Sequence, residues 1–278
     1  MGCAPLVQPR DDSVSNPPRP SSTMCVLHQG ESGFEVLMVR RSATARFMAH
    51  AWVFPGGVVD QEDHEQAALD SISGLSRPEL GPWLAAAFRE VVEETGVWLV
   101  RFPFVERTDE SDVFAAAAAR GVEFDATRVA YFANWVTPTV VPKRFDARFF
   151  IAAIDHAVTA VPDGRELDAA EFVSPVEALR RAESSEWLVP FPTQRTLHQL
   201  AEFPSVDAAL DEWRARDVVS IQPRMRVAAD GSLEVVMPDE PGFAALTDAG
   251  PDPDVLARAA QAAARKGRPI AEVQSDSD

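Results

Sequence analysis

The sequence predicts an α/β protein in which a mixed sheet is sandwiched by helices. Three observations carry this. The β-rich runs "STMCVLHQG" and "FEVLMVRR" are separated by the turn residues "ESG", a hairpin signal. The segment "RPELGPWLAAAFREVVEETG" has a strong helical period. Further strand-like and helix-like runs then interleave towards the C-terminus, without an internal repeat.

In chain order, residues 1–20 are rich in Pro, Ser and Asp and read as a disordered arm. "AWVFPGG" reads as a short apolar strand stopped by Pro55, Gly56 and Gly57. The following helix places Leu84, Phe88, Val91 and Val92 on one apolar stripe. Pro82 suits its first turn, and Gly96 suits the position just past its end. "VWLVRF", "RVAYFANWVTP" and "ARFFIAAI" read as strands. "SPVEALRRAES" reads as a helix capped by Ser174 with Pro175 at its first position. "PTQRTLHQLAEF" and "SVDAALDEWRAR" are two more helices, and "VVSIQPRMRVAADGSLEVVMP" is a hairpin turned at Asp230-Gly231. The ordered domain is therefore expected over 21–247, the last part being a C-terminal extension. Residues 248–278 are an Ala-rich, partly disordered tail with a short helix over "PDVLARAAQAAARKG".

A chain of 278 residues can bury a core without disulfides. Its two cysteines, Cys3 and Cys25, form no framework, which fits a reducing cytoplasm. The start "MGCAPLVQPRDDSVSNPPRPSS" lacks an apolar region long enough for a signal peptide, and Leu6 stands where myristoylation needs Ser or Thr. No apolar run is long enough to span a membrane. The net charge of -17 repels polyanions, and no basic patch of the size that long nucleic acid needs is visible. Small anionic ligands remain open, because a local cluster can reverse the field inside a cleft.

The stretch "FREVVEETGV" holds Arg89, Glu90, Glu93 and Glu94. On a helix these three glutamates share a face. They repel one another unless a cation sits between them, and Mg²⁺ takes oxygen ligands. A solvated stripe in which Arg89 is a local salt-bridge partner is the other reading. Upstream, "FPGG" ends at Gly56-Gly57, where glycine lets the backbone approach a ligand closely.

Here the chain resembles the Nudix hydrolase family. The family box runs Gly, five residues, Glu, seven residues, Arg-Glu, an aliphatic, any residue, Glu-Glu, any residue, Gly and an aliphatic. Gly57 fills the start, and Arg89, Glu90, Val91, Glu93, Glu94, Gly96 and Val97 fill the second half. The first half departs from it: Asp63 stands where the pattern has Glu, beside Glu62. Between Asp63 and Arg89 the pattern is lengthened by 18 residues, expected to form an excursion over 64–81 whose ends meet. A branch similar to the peroxisomal coenzyme A diphosphatases also carries a long insertion there. It has similar text around "FPGGVVDQED", "NWVTP", "KRFDARFF" and "SPVEA", a resemblance covering about residues 22–200.

The resemblance implies a Nudix α/β/α sandwich and a divalent-metal-dependent diphosphatase using Mg²⁺ or Mn²⁺. Glu90, Glu93 and Glu94 would bind the metal, the backbone carbonyl near Gly57 would complete its shell, and Arg89 would orient a carboxylate or touch phosphate. In the family the base is a helix glutamate or a later acid. Of Asp163, Glu166, Asp168 and Glu171, Glu166 is favoured; a rival, Asp146, is expected instead to pair with Arg144 or Arg148. "LMVRRSATARFMAHAWVFPGG" partly matches a motif of coenzyme A-cleaving members through Leu37, Arg41, Ser42, Arg46 and Phe54 to Gly57. His50 replaces its glycine, and Met38 and Val39 also differ. Arg41 and Arg46 would then face ligand phosphates. Trp52, Trp135 and Phe191 could stack on an adenine. The expected substrate is coenzyme A or its thioesters. The alternatives are NADH, ADP-ribose or a dinucleoside polyphosphate, or a non-catalytic sensor. The partner is a small-molecule diphosphate, and a homodimer is an assembly open to the chain.

Overall fold

The computed structural model describes residues 16–252, 254, 255 and 258, apart from 31–32, 46–47, 107–111 and 230. Its first elements are β1 (Arg19–Gly30), β2 (Gly33–Arg41), β3 (Trp52–Val53), β4 (Gly56–Val58), α1 (Gln66–Asp70), β5 (Ile72–Ser73) and α2 (Gly81–Thr95). There follow β6 (Val97–Trp98), β7 (Phe104–Val105), α3 (Val113–Arg120), β8 (Phe124–Asp125), β9 (Val129–Val136), β10 (Phe145–Ile154) and β11 (Leu167–Val173). The chain continues with α4 (Pro175–Glu183), α5 (Phe191–Ala201), α6 (Val206–Arg214), β12 (Ser220–Ile221), β13 (Arg224–Val227) and β14 (Leu233–Val236).

The main sheet runs β11-β2-β1-β10-β9-β12, with β3 paired to β2 and β4 to β1. β1 lies parallel to β10 and β9 to β12, while β1 and β2 form the expected antiparallel hairpin, so the sheet is mixed. Alternation along β1 sends Met24 and Val26 to one face and Cys25 and Leu27 to the other. The first face packs on α2 through Leu84, Phe88 and Val91. The second packs on α4, α5 and α6 through Leu179, Leu197 and Leu210. This is the α/β/α layering expected from the sequence.

Helix α2 starts with Pro82 in its first turn and stops at Gly96, whose φ of 70° is the left-handed conformation that glycine tolerates. The Gly96 N–H donates to the Val92 carbonyl at 2.8 Å. Ser174 caps α4 by accepting from the Glu177 N–H, and Ser205 caps α6 in the same way from Ala208.

Three expectations need correction, and the partly disordered tail gains a contact at its start. β1 begins at Arg19, inside the arm expected to lack order, and the Arg144 guanidinium donates to the Asn16 carbonyl. Gly56 and Gly57 do not stop a strand: they form β4 against Thr23 and Ser22 of β1. "VWLVRF" is strand only at Val97–Trp98, because the chain turns there to pair with Phe104–Val105. Beyond 247, Asp248 pairs with Arg224 at 2.8 Å, so defined contacts run into the expected tail. Asp230 of the expected turn lies outside the described residues, as does most of the tail helix.

The inserted segment 64–81 contains α1, β5 and a 3₁₀ turn at Pro78–Leu80. Ala68, Ile72 and Leu80 are buried in the same core as α2, and β5 pairs with β8. The insertion therefore extends the α2 core, and Asp63 and Arg89 at its flanks still meet at 2.9 Å.

Candidate active site

β4 and α2 meet where Gly57 faces Glu90. A Cβ built on Gly57 would lie 2.2 Å from Glu90 Oε1, so only glycine leaves room for that carboxylate. One residue earlier, the Gly56 N–H donates to Glu94 Oε2 at 3.0 Å. β4 thus constrains both carboxylates through its backbone.

Arg89 is 3% exposed and is the hub of the site. Its Nε and Nη2 donate to the two oxygens of buried Asp63, both at 2.9 Å. Its Nη1 donates to Glu90 and Glu93 at 2.9 Å each, and its Nη2 to the Val58 carbonyl at 3.0 Å. Glu62 stands 3.4 Å away and Asp60 3.9 Å. Asp63 is thus joined to Arg89 by a two-pronged fork across the insertion. Burial alone would depress the Arg89 pKa, but the Asp63 hydrogen bond and the Glu90 and Glu93 charges raise it, so the guanidinium stays charged.

Burial pushes the Glu90 pKa up to about 7; Arg89 opposes the shift, and the charges of Glu93 and Glu166 add to it. Burial likewise holds Glu94 well above the ordinary carboxylate range, and the Glu90 charge adds to it; the Gly56 N–H and the Arg41 charge oppose. A buried carboxylate whose pKa is raised further by the charge of its part-buried neighbour is in a state that a divalent cation relieves. The all-oxygen donors and the Gly57 cradle fit a hard cation. Among the described residues, no group of three or more Asp, Glu, His or Cys side chains forms a finished metal cage. Within the expected trio, Arg89 Nη1 holds both Glu90 and Glu93, while the charge of Glu90 acts on Glu94.

The later acids separate clearly. Asp168 pairs with Arg40 at 2.5 Å, and Glu171 pairs with Arg181. Asp163 accepts from the N–H groups of Glu166 and Leu167 and so shapes the loop. Glu166 borders the cleft, and its charge reaches both Glu90 and Glu94. Its carbonyl accepts from the Ser42 N–H at 2.7 Å, tying this loop to the end of β2. Asp146 does not make the expected arginine pair; it accepts from Asn134 at 2.5 Å, while Arg148 lies over the Trp83 ring.

Arg41 borders the same cleft and acts on Glu94. Arg46 lies outside the described residues. His50 has a φ of 63°, a left-handed backbone of the kind that glycine adopts readily. Trp52 stacks on Trp187 at 4.0 Å within the core and lines no part of the cleft, whereas Trp135 and Phe191 do line it.

The carboxylates line a cavity of about 580 Å³. Its other walls come from the β9–β10 connection, the start of α5 and the β13–β14 hairpin, including Lys143, Phe145, Phe191, Met225 and Val235. Met225 and Val235 were not foreseen as cleft residues, because only their packing reveals the role.

A 15-residue catalytic-type helix, a glycine strand facing its glutamates and a cavity beside them define a Nudix hydrolase fold and site. The chain is 30% identical to a NUDIX hydrolase from Alicyclobacillus acidocaldarius, with a TM-score of 0.60 over 70% of this chain and 96% of that one. It belongs to the Nudix hydrolase family. No protein-family model matches the chain. It is 24% identical over 235 residues to the acyl-coenzyme A diphosphatase NUDT19 of Xenopus laevis, covering 63% of this chain and 62% of that one. Similarity to the human protein of the same name is 24% over 294 residues, covering 83% and 76%. The chain thus spans less than two thirds of the frog relative, and also of a nudix relative from Caenorhabditis elegans, at 63%. Among the described residues no helix is long and apolar enough to cross a membrane.

Proposed function

We propose that this Nudix hydrolase is a Mg²⁺- or Mn²⁺-dependent diphosphatase of coenzyme A or acyl-coenzyme A. The observation that carries the reading is the Glu90–Glu94 pair lining the cavity, with the Arg41 charge acting on Glu94. The coenzyme A assignment is supported by the partial motif from Leu37 to Gly57 and by the names of the NUDT19 relatives.

Glu90 and Glu94 would hold the cation, aided by the Gly57 carbonyl, with Glu93 as a further carboxylate at the rim. When bound, the metal neutralises phosphate oxygens and lowers the pKa of water. Arg89 keeps Glu90 and Glu93 in position and ties them to Asp63. Arg41 offers a guanidinium to the diphosphate, and Arg46 is assigned a second phosphate. Glu166, across the cleft from the helix, takes the proton of the attacking water. Water oxygen bonds to one phosphorus, the bridging P–O bond breaks, and two phosphomonoesters leave. From coenzyme A these are 3′,5′-ADP and 4′-phosphopantetheine. The acidic surface suits a small ligand rather than nucleic acid, and a cytoplasmic location remains part of the same reading.

The test is a Mg²⁺/Mn²⁺ assay across coenzyme A, dephospho-coenzyme A, NADH, ADP-ribose and a dinucleoside polyphosphate. Coenzyme A is expected to be cleaved about ten- to a hundredfold better than its dephospho form, the range of a charge-assisted phosphate contact. Equal rates on the two, or preference for NADH or ADP-ribose, would sink the coenzyme A assignment.

A further inference from the structure

We infer that the C-terminal hairpin β13–β14 is a specificity wall that takes an uncharged, flexible arm of the substrate, the thioester-linked acyl end in an acyl-coenzyme A. This rests on the proposed diphosphatase reading and deepens it. The hairpin lies outside the main sheet, yet Pro223, Met225 and Val235 line the same cavity as Glu90 and Glu94. Met225 is 3% exposed but belongs to neither apolar core, so its burial comes from the cleft wall and the hairpin itself.

The wall is held firmly. Arg224 donates to the carbonyls of Phe243 and Leu246 at 3.0 and 2.9 Å and to Asp248 at 2.9 Å, and lies over the Phe243 ring. Met237, just past β14, is rooted in the core beneath α5 and α6. Val141, Lys143, Phe145 and Phe191 line the same cavity. A purine or a second sugar set against Met225 and Val235 would leave its polar atoms facing apolar side chains, which is costly. A methylene chain loses nothing there and gains burial. The polar requirement of the substrate is met by Glu90, Glu94 and Arg41, so one cavity offers both the polar and the apolar lining that an acyl-linked diphosphate needs.

The experiment measures kcat and KM with Mg²⁺ for coenzyme A and its acetyl, butanoyl and octanoyl thioesters, with ADP-ribose alongside, in wild type, Val235→Trp and Met225→Ala. Wild type should gain up to about three- to fourfold per buried methylene, so octanoyl- should exceed free coenzyme A by at least about tenfold in kcat/KM, through KM. Val235→Trp fills the wall and should bring that ratio towards one. Met225→Ala enlarges it and should move the optimum to longer chains. Should Val235→Trp fail to fold, the wild-type series and Met225→Ala decide alone. A wild-type ratio within about twofold of one, or a ratio unmoved in both folded variants, overturns the wall while coenzyme A cleavage leaves the diphosphatase reading standing. Equal losses on ADP-ribose and all thioesters in Val235→Trp would place the nucleoside there and overturn it too. Turnover of ADP-ribose with none of any coenzyme A species would instead overturn the substrate reading, and this inference with it.

Discussion

Gly57 and Glu90 compete for one space: a methyl group on the glycine would sit 2.2 Å from the carboxylate oxygen of the glutamate. The Gly57→Ala variant must therefore displace Glu90. Activity with Mg²⁺ should fall by about a hundredfold, the usual result of misplacing a reacting group by an ångström. A kcat/KM within about threefold of wild type would show that Glu90 needs no such placement.

Arg89 and Asp63 should be strongly coupled, because each buries a charge that the other satisfies. Arg89→Ala should lose about 3–5 kcal/mol in urea unfolding. Arg89→Lys keeps the charge but not the fork and should fall between that variant and wild type. A double-mutant cycle with Asp63→Ala should give a coupling of roughly 2 kcal/mol or more. Additive effects would mean that the insertion and the helix are not joined through this pair.

The raised pKa values of Glu90 and Glu94 set a pH dependence in the absence of divalent metal. Between the ordinary carboxylate value near 4.5 and the folded value near 7, the unfolded chain binds fewer protons than the folded one. The stability that Glu90 contributes is therefore fully present below this window and is lost as pH rises through it. Glu90→Gln mimics the protonated form and removes that dependence. The variant should match wild type near pH 4.5 and exceed it at pH 7.5 in chelator. Mg²⁺ should narrow the gap by stabilising wild type. A pH-independent difference would contradict the assigned burial cost.

Glu166 and Asp168 sit two residues apart in sequence but differ in surroundings. Asp168 is engaged by Arg40 at the surface, whereas Glu166 borders the cleft. Glu166→Gln should lower kcat by about a hundredfold with its melting temperature kept. Asp168→Asn should change kcat by no more than about twofold. Similar effects of the two would remove Glu166 from the proton-transfer role.

Much of this was legible in the sequence where the signal is local. The span of α2, its stop at Gly96 and the shared face of Glu90 and Glu94 follow from helical period and from glycine. The β1–β2 hairpin and the caps at Ser174 and Ser205 follow from turn and cap chemistry. Non-local contacts were not legible. The Arg89–Asp63 fork spans 26 positions, and no local pattern announces it. Glu93 turns to Arg89 because a buried guanidinium draws the nearest carboxylates, which spacing alone does not reveal. Gly56 and Gly57 read as a strand stop, since glycine disfavours strands, yet the close approach of β1 requires them: a Cβ on Gly56 would meet the Ser22 carbonyl oxygen at 2.3 Å. Met225 and Val235 look like any hairpin residues until the cavity beside them is seen.

The central claim is that the buried Glu90–Glu94 pair is a metal-dependent diphosphatase centre. Its most direct measurement is the Mg²⁺-dependent hydrolysis of coenzyme A by wild type and by Glu94→Gln, with folding checked by circular dichroism. Glutamine keeps the size of the side chain and removes one anionic oxygen. A fall in kcat/KM of about a hundredfold or more, in a folded variant, is the expected result. Full activity in Glu94→Gln, or wild-type hydrolysis that persists in excess chelator, would contradict it.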